Sequence, residues 1–286
     1  MLYYGLIMIS VIMFGANFAL DSQYQKRMGS GFFPAFFHVT LSSVAGILVL
    51  FPLNGFKFEF ALFPVVMALI TTVNSLVLSF CSLKTLGKIN LSLYSLFMML
   101  GGMVLPSVLG VLFFNEGMTW AKGICYVFIV AALIVTVEKS DKKGGFLYYL
   151  GVFMLNGLAG VLSKIYQAAD YEKISESGYS LLCAAVTLSV AGVLALCLYP
   201  SYRKNFRASA VPFSMTSGAI NRVANLLLLI SLSHVHASVQ YPMITGGVMI
   251  VSTVIACFTQ NKPTKKQWIA VGLSFVGILL LVTVPC

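Results

Sequence analysis

The strongest constraint on this chain is a succession of long apolar runs with almost no charge inside them. Ten can be drawn, over residues 3–20, 31–53, 60–83, 89–114, 119–137, 145–168, 178–199, 211–233, 237–258 and 267–284. A helix needs roughly 20 apolar residues to cross a bilayer, and each run meets or approaches that length. The runs lack the period-two alternation of an outer-membrane barrel strand and are about twice its length. In hydrocarbon the backbone must satisfy its own hydrogen bonds, which makes each run a helix. Composition agrees. Hydrophobic residues make up 59% of the 286 residues, charged residues 9%, and mean hydropathy is +0.95. Soluble domains average about 25% charged residues, so this chain could not coat a water-facing surface. A soluble enzyme, a secreted disulfide scaffold and a disordered protein are excluded, and no room is left for a separate soluble domain. The expectation is an all-α polytopic membrane protein. The first run, without a basic flank or a small-residue cleavage site before the next run, reads as a retained helix.

The second half of the chain repeats the first at a nearly constant shift of about 146 residues. Tyr3 and Gly5 fall on Tyr149 and Gly151, Gly101 and Gly102 on Gly246 and Gly247, Thr119 on Thr264, and Val135–Val137 on Val282–Val284. The unit is five helices. An odd number of crossings makes the second copy enter from the opposite side, so ten transmembrane helices are expected as two inverted five-helix repeats, 1–140 and 141–286, in one integrated transmembrane domain. Inverted repeats around a midplane site are the architecture of many secondary transporters.

The first run carries "FGANFA", and the link from the fourth to the fifth run reads "FFNEGMTWAKG", with Glu116, Thr119 and Gly123. The matching link in the second copy, "FTQNKPTKKQWIAVG", has Asn261, Thr264 and Gly272. These segments are similar to the "WGSNF" and "GE-x-L-T" motifs of the ten-helix, EamA-type branch of the drug/metabolite transporter superfamily, and the resemblance runs the length of the chain. It implies a multi-pass carrier of small solutes in a bacterial inner membrane, with export the commoner direction. Three departures stand out. His38 occupies the place of a basic residue early in the second helix, and the second repeat lacks the acid of its motif. The membrane-embedded glutamate of the related four-helix proton-coupled exporters is absent as well.

The net charge of +10 does not signal nucleic acid, because the basic residues sit in short loops. Thirteen of the 18 Lys and Arg fall in the loops after the odd-numbered helices, among them Lys26, Arg27, Lys84, Lys88, Arg203, Lys204 and Lys262. The positive-inside rule makes those loops cytoplasmic and puts both termini outside.

Polar residues inside the runs identify a candidate site. In the eighth run Gly218, Asn221, Arg222 and Asn225 share one helical face. Arg222 lies near mid-depth, where a charge costs about 2.5–3.5 kcal/mol on insertion scales. It either contacts an anionic solute group or bonds helix-end carbonyls and locks two helices together. The sixth run repeats the pattern with Asn156, Ser163 and Lys164, where Lys164 either lines the site or snorkels to water. Asn17 in the first run and Asn74 in the third read as substrate contacts or interhelical glue. Tyr94 and Tyr241 wall the site or anchor at headgroup level, and His38 is a contact, a titrating group or a structural hydrogen-bonding residue. All eight acids are expected in loops or at span ends, leaving Arg222 without a carboxylate at its depth.

The six cysteines are scattered and no CxxC occurs. The His234–His236 pair lacks further ligands. No metal or cofactor is expected, and no catalytic motif stands out. The reading is a secondary transporter of a small polar metabolite, amino-acid-like or otherwise anionic or zwitterionic, working by alternating access. The alternatives are a carrier of cationic or drug-like solutes, read by aromatic residues, or a passive channel. The expected partners are the solute and the lipid bilayer, and a homodimer is compatible with the sequence.

Overall fold

The computed structural model describes residues 2–113, 120–136, 146–232, 234–235, 237–258 and 262–283. They form α1 (Leu2–Met28), α2 (Phe32–Leu53), α3 (Leu62–Leu86), α4 (Leu91–Phe113), α5 (Trp120–Thr136), α6 (Phe146–Ala168), α7 (Glu176–Tyr202), α8 (Val211–Leu232), α9 (Ala237–Cys257) and α10 (Lys265–Thr283). Two 3-10 turns sit between α7 and α8, and no strand occurs among the described residues. Five stretches, Leu2–Met28, Phe32–Leu53, Leu62–Leu86, Phe146–Tyr166 and Glu176–Asn205, are long and apolar enough to cross a membrane. Glu116, Thr119, His236 and Asn261 lie outside the described residues, as does the side chain of Tyr241.

The first helix departs from its expected limit. The apolar run ends at residue 20, but α1 continues to Met28. Residues 21–28 contain no glycine or proline, and a polar helical turn needs no apolar sequence. Gly29, at φ 79°, ends the helix, and its N–H donates to the Gln25 carbonyl at 2.7 Å. Asp21 therefore sits a full two turns inside a helix instead of in a loop.

The polarity of the bundle is reversed relative to a soluble protein. Leu48, Val73, Val193 and Leu196 are exposed on its outer faces, as lipid contact requires. The interior is threaded with small hydroxyls. Ser92 meets Thr253 at 2.7 Å and Ser95 meets Ser252 at 2.5 Å between α4 and α9, and Thr72 meets Thr187 at 2.8 Å between α3 and α7. Such contacts satisfy hydroxyls that have no water partner. Cys81, Cys125, Cys183, Cys197 and Cys257 are unbridged.

The main helix contacts largely correspond when each helix is exchanged for the one five places away. Helix α1 packs on α8 and α9 as α6 packs on α3 and α4, and α2 packs on α8 as α7 packs on α3. The pairs α2 with α7, α4 with α9 and α5 with α10 map onto themselves, whereas the contact of α2 with α3 has no comparable α7–α8 counterpart among the described residues. The α4–α6 crossing depends on small residues. A Cβ on Gly101 would lie 2.1 Å from the Phe153 carbonyl oxygen, so only glycine permits that approach.

One end of the bundle is tied by the loops after α2 and α6. Glu59 accepts from the Ser175 N–H at 2.7 Å and from the Ser175 hydroxyl at 2.5 Å, while the Ser177 hydroxyl donates to Asn54 Oδ1 at 2.6 Å. Ser175 also caps α7 by accepting from the Gly178 N–H at 3.1 Å. Beside this tie Phe63, Tyr166 and Tyr179 stack, with centroid separations of 5.8 and 3.7 Å. The hydroxyl and N–H of Ser175 hold the Glu59 carboxyl below its usual value of 4.5. The tie is thus present at neutral pH and is lost as pH falls through that lowered value.

Two outcomes follow from this packing. Gly101→Ala should lower the thermal stability of the purified protein by about 1–3 kcal/mol or more, the range for overpacking. Gly5→Ala, where nothing lies within 4 Å, should leave it unchanged. Glu59→Gln at neutral pH should speed hydrogen exchange at the Ser175 and Gly178 amides, and acidification of the parent protein through the lowered Glu59 value should do the same. Equal exchange in parent and variant would remove the tie from the structure's account.

Candidate functional site

A cavity of about 330 Å³ lies between helices of the two halves. Ligand pockets span roughly 300–1,000 Å³, so its size suits a small metabolite. Its walls come from the second half of α1 (Asn17, Phe18, Asp21), the first half of α2 (His38, Ser42, Ser43), α3 (Thr71, Ser75, Ser79, Ser82), the start of α4 (Tyr94, Met98), α7 (Cys183, Thr187) and α8 (Ser217, Gly218, Asn221, Arg222). It runs from mid-depth toward the end where α1 passes into α2. That end carries Lys26, Arg27, Lys84, Lys88, Arg203 and Lys204. The Glu59–Ser175 tie is at the opposite end.

Of the residues singled out from sequence, Asn17, His38, Tyr94, Asn221 and Arg222 line this cavity. Tyr94 is fully buried, with its ring edge-on to Phe18 at 5.4 Å. Arg222 fits because Gly46 faces it from α2. A Cβ at Gly46 would come within 3.0 Å of Arg222 Nε. Gly218 brings α8 equally close to α2 at Ser42.

The other candidates are placed elsewhere. Asn74 donates to the Leu155 carbonyl at 3.0 Å and Asn156 to the Met98 carbonyl at 2.7 Å, which joins α3 and α4 to α6. Lys164 reaches the Pro106 carbonyl at 3.4 Å, an oxygen that faces the next turn of a helix bearing an internal proline. Ser163 is exposed and bonds back to Ala159 on its own helix at 3.1 Å. Asn225 is exposed and bonds to Asn221 at 2.7 Å. The α6 stripe is thus a helix-packing face, not a cavity wall.

Asp21 shares a polar stripe with Ser10 and Asn17 in the sequence but stands just past the first apolar run. Asp21, brought inside by the length of α1, faces His38 of α2, with His38 Nε2 3.5 Å from Asp21 Oδ1. The other imidazole nitrogen, Nδ1, is 2.7 Å from the Ser214 hydroxyl of α8. Ser217, one turn further along α8, lies 2.5 Å from Asp21 Oδ1 and 2.7 Å from Asn17 Oδ1. Ser214, Ser217 and Asn221 recur at helical spacing and extend the stripe that marked α8 in the sequence. Serine is close to neutral in hydropathy, so the extension was silent there. Arg222 therefore has a carboxylate in its own cavity. Among the described residues no carboxylate is within ion-pair distance of it, since the one such contact is His38–Asp21. Nor do the described residues contain a cluster able to hold a metal ion.

The site can accept an anionic group at Arg222 and a cationic or proton-donating group at Asp21, with amide and hydroxyl groups between them.

A solved structure described as "Crystal structure of protein" is 15% identical to this chain and superposes at a TM-score of 0.50. The alignment covers 96% of this chain and 98% of the other, so the two share a fold over their whole lengths. No curated protein matches the sequence. Residues 143–283, which hold α6 to α10, match the model of the EamA-like transporter family, part of the drug/metabolite transporter superfamily; this half of the chain is similar to that family, and the apolar helices support a multi-pass membrane protein of the transporter type.

Proposed function

We propose that the protein is a secondary carrier of a small amino-acid-like solute, worked by alternating access between two inverted five-helix repeats. The observation that carries this reading is the cavity between the halves, walled by α1–α4 on one side and α7–α8 on the other, with Arg222 and Asp21 both on its lining. The main helix pairings, which correspond on exchange of the halves, support the inverted repeat. Two halves related in this way can rock about a shared mid-depth site. The tie between Asn54, Glu59, Ser175 and Ser177 joins a loop of one half to a loop of the other at one end. It would open as the cavity turns toward that end.

All ten helices cross the bilayer in this reading. Under the positive-inside rule the cavity lies on the cytoplasmic side and the tie on the external side. Export is the favoured direction by family analogy. Arg222 holds the solute's carboxylate, while Asn17, Asn221 and the cavity serines replace its hydration. The single carboxylate on the lining makes a zwitterion a better fit than a purely cationic drug.

The test is counterflow of a radiolabelled amino-acid mixture in proteoliposomes. The expected result is saturable, accelerated exchange when unlabelled mixture is present on the far side; linear, unsaturated leak would indicate a channel instead. Arg222→Gln should weaken apparent affinity about 10- to 100-fold, as loss of a charge-assisted hydrogen bond of about 1.5–3 kcal/mol requires. Gly46→Val, which crowds Arg222 without removing its charge, should weaken it in the same direction. Unchanged affinity in both variants would remove Arg222 from the site.

A further inference from the structure

We infer that Asp21 and His38 form a proton site that competes with the solute's ammonium group, so that the carrier exchanges one solute for one proton. The inference rests on the carrier reading above and names its coupling ion.

The geometry comes first. Asp21 Oδ1 and His38 Nε2 are 3.5 Å apart, on different helices, at the wall of the cavity. Ser214 holds the far imidazole nitrogen at 2.7 Å, so the ring is oriented with Nε2 toward the carboxylate. The Ser217 hydroxyl has one proton to donate, yet two acceptor oxygens lie within 2.7 Å of it, Asn17 Oδ1 and Asp21 Oδ1. The cluster is complete only when a second proton is supplied, by Asp21 in its protonated form or by the Asn17 amide turned over. Ionisable and charged groups near the pair are few. Tyr24 on α1 itself has its ring 4.9 Å from His38. Tyr94 of α4, Cys183 of α7 and Arg222 of α8 share the cavity. Helix α3 presents hydroxyls and leucines there, and neither α9 nor the 3-10 turn before α8 carries a charged residue.

Counting pairs decides the coupling. In the empty site a proton on the pair gives His38⁺ facing Asp21⁻, and that carboxylate is satisfied. Without the proton, Asp21⁻ faces a neutral ring. When a zwitterion enters, its carboxylate takes Arg222 and its ammonium takes Asp21. Ser217 and Arg222 are five residues apart on α8, about 7.5 Å of helix rise, a span that two hydrogen bonds and an amino-acid head group can bridge. A proton left on His38 would then be an unpaired cation beside a second cation in a low-dielectric wall. It leaves Nε2 for water as the ammonium arrives. Protonated pair and bound solute thus exclude one another, the condition for exchange transport. An imidazole in water changes charge near neutral pH, and that is the window for the experiment to scan.

The test uses the full-length protein in proteoliposomes with the radiolabelled amino-acid mixture and a trapped pH dye. Expected in the parent protein is counterflow whose apparent affinity weakens about tenfold per pH unit below the pair's midpoint, with protons moving opposite to net amino-acid flux. In His38→Gln the protons moved per amino acid should fall at least tenfold, and the pH dependence should leave that window, whatever rate remains. Should that variant fail to fold, histidine NMR of the parent protein decides. Adding the mixture should drive the His38 ring toward its neutral form, and an unchanged ring signal overturns the proposal. Counterflow with a flat pH profile overturns the proton site while leaving the carrier intact. Absence of counterflow overturns the amino-acid carrier itself, and the proton site with it.

Discussion

Hydrocarbon offers no hydrogen-bond partner, and the fold is organised around that deficit. Every backbone group has to be satisfied within a helix, and every polar side chain has to find a protein partner or a wet space. The outer faces are accordingly covered with leucine, valine and isoleucine. The interior seams are held by serine and threonine hydroxyls, such as Ser92 with Thr253 and Thr72 with Thr187. No hydrophobic force draws helices together in lipid, so contact depends on close approach. Glycines 101, 157 and 218 allow one helix to reach the backbone of another.

The same deficit explains why the polar residues divide into two groups. Asn74, Asn156 and Lys164 each donate to a carbonyl of a neighbouring helix, which ties α3 and α4 to α6. Asn17, Asp21, His38, Asn221 and Arg222 instead surround an open volume. Arg222 in particular has no carboxylate within reach among the described residues. A half-buried guanidinium in a cavity wall, with no acid beside it, is stabilised by whatever brings negative charge to it. That need is the physical reason for reading the cavity as a solute site.

The sequence was most legible where a single physical rule acts on a long stretch. Apolar run length announced the helices, and the constant shift announced the repeat reflected in the packing of α1 on α8 and α6 on α3. It was least legible at Asp21. An acid after an apolar run looks like a helix end, yet nothing in residues 21–28 stops the helix before Gly29. Hydropathy locates the edge of apolar sequence, whereas helix ends are set by capping and breakers. The α6 stripe was left open between two readings for the complementary reason. Asn156, Ser163 and Lys164 share one helical face, but periodicity shows only that residues point together, not whether they meet a cavity or another helix.

Sequence alone was sufficient for an all-helical protein with several membrane-spanning runs, because run length and apolar composition are properties of residues read along one chain. Only the tertiary structure could bring Asp21 of α1, His38 of α2 and Ser214 and Ser217 of α8 into one cluster beside Arg222. Those residues are separated by up to two hundred positions. Their meeting is decided by how α1, α2 and α8 cross, and so by small residues such as Gly46 and Gly218, whose importance lies in what faces them.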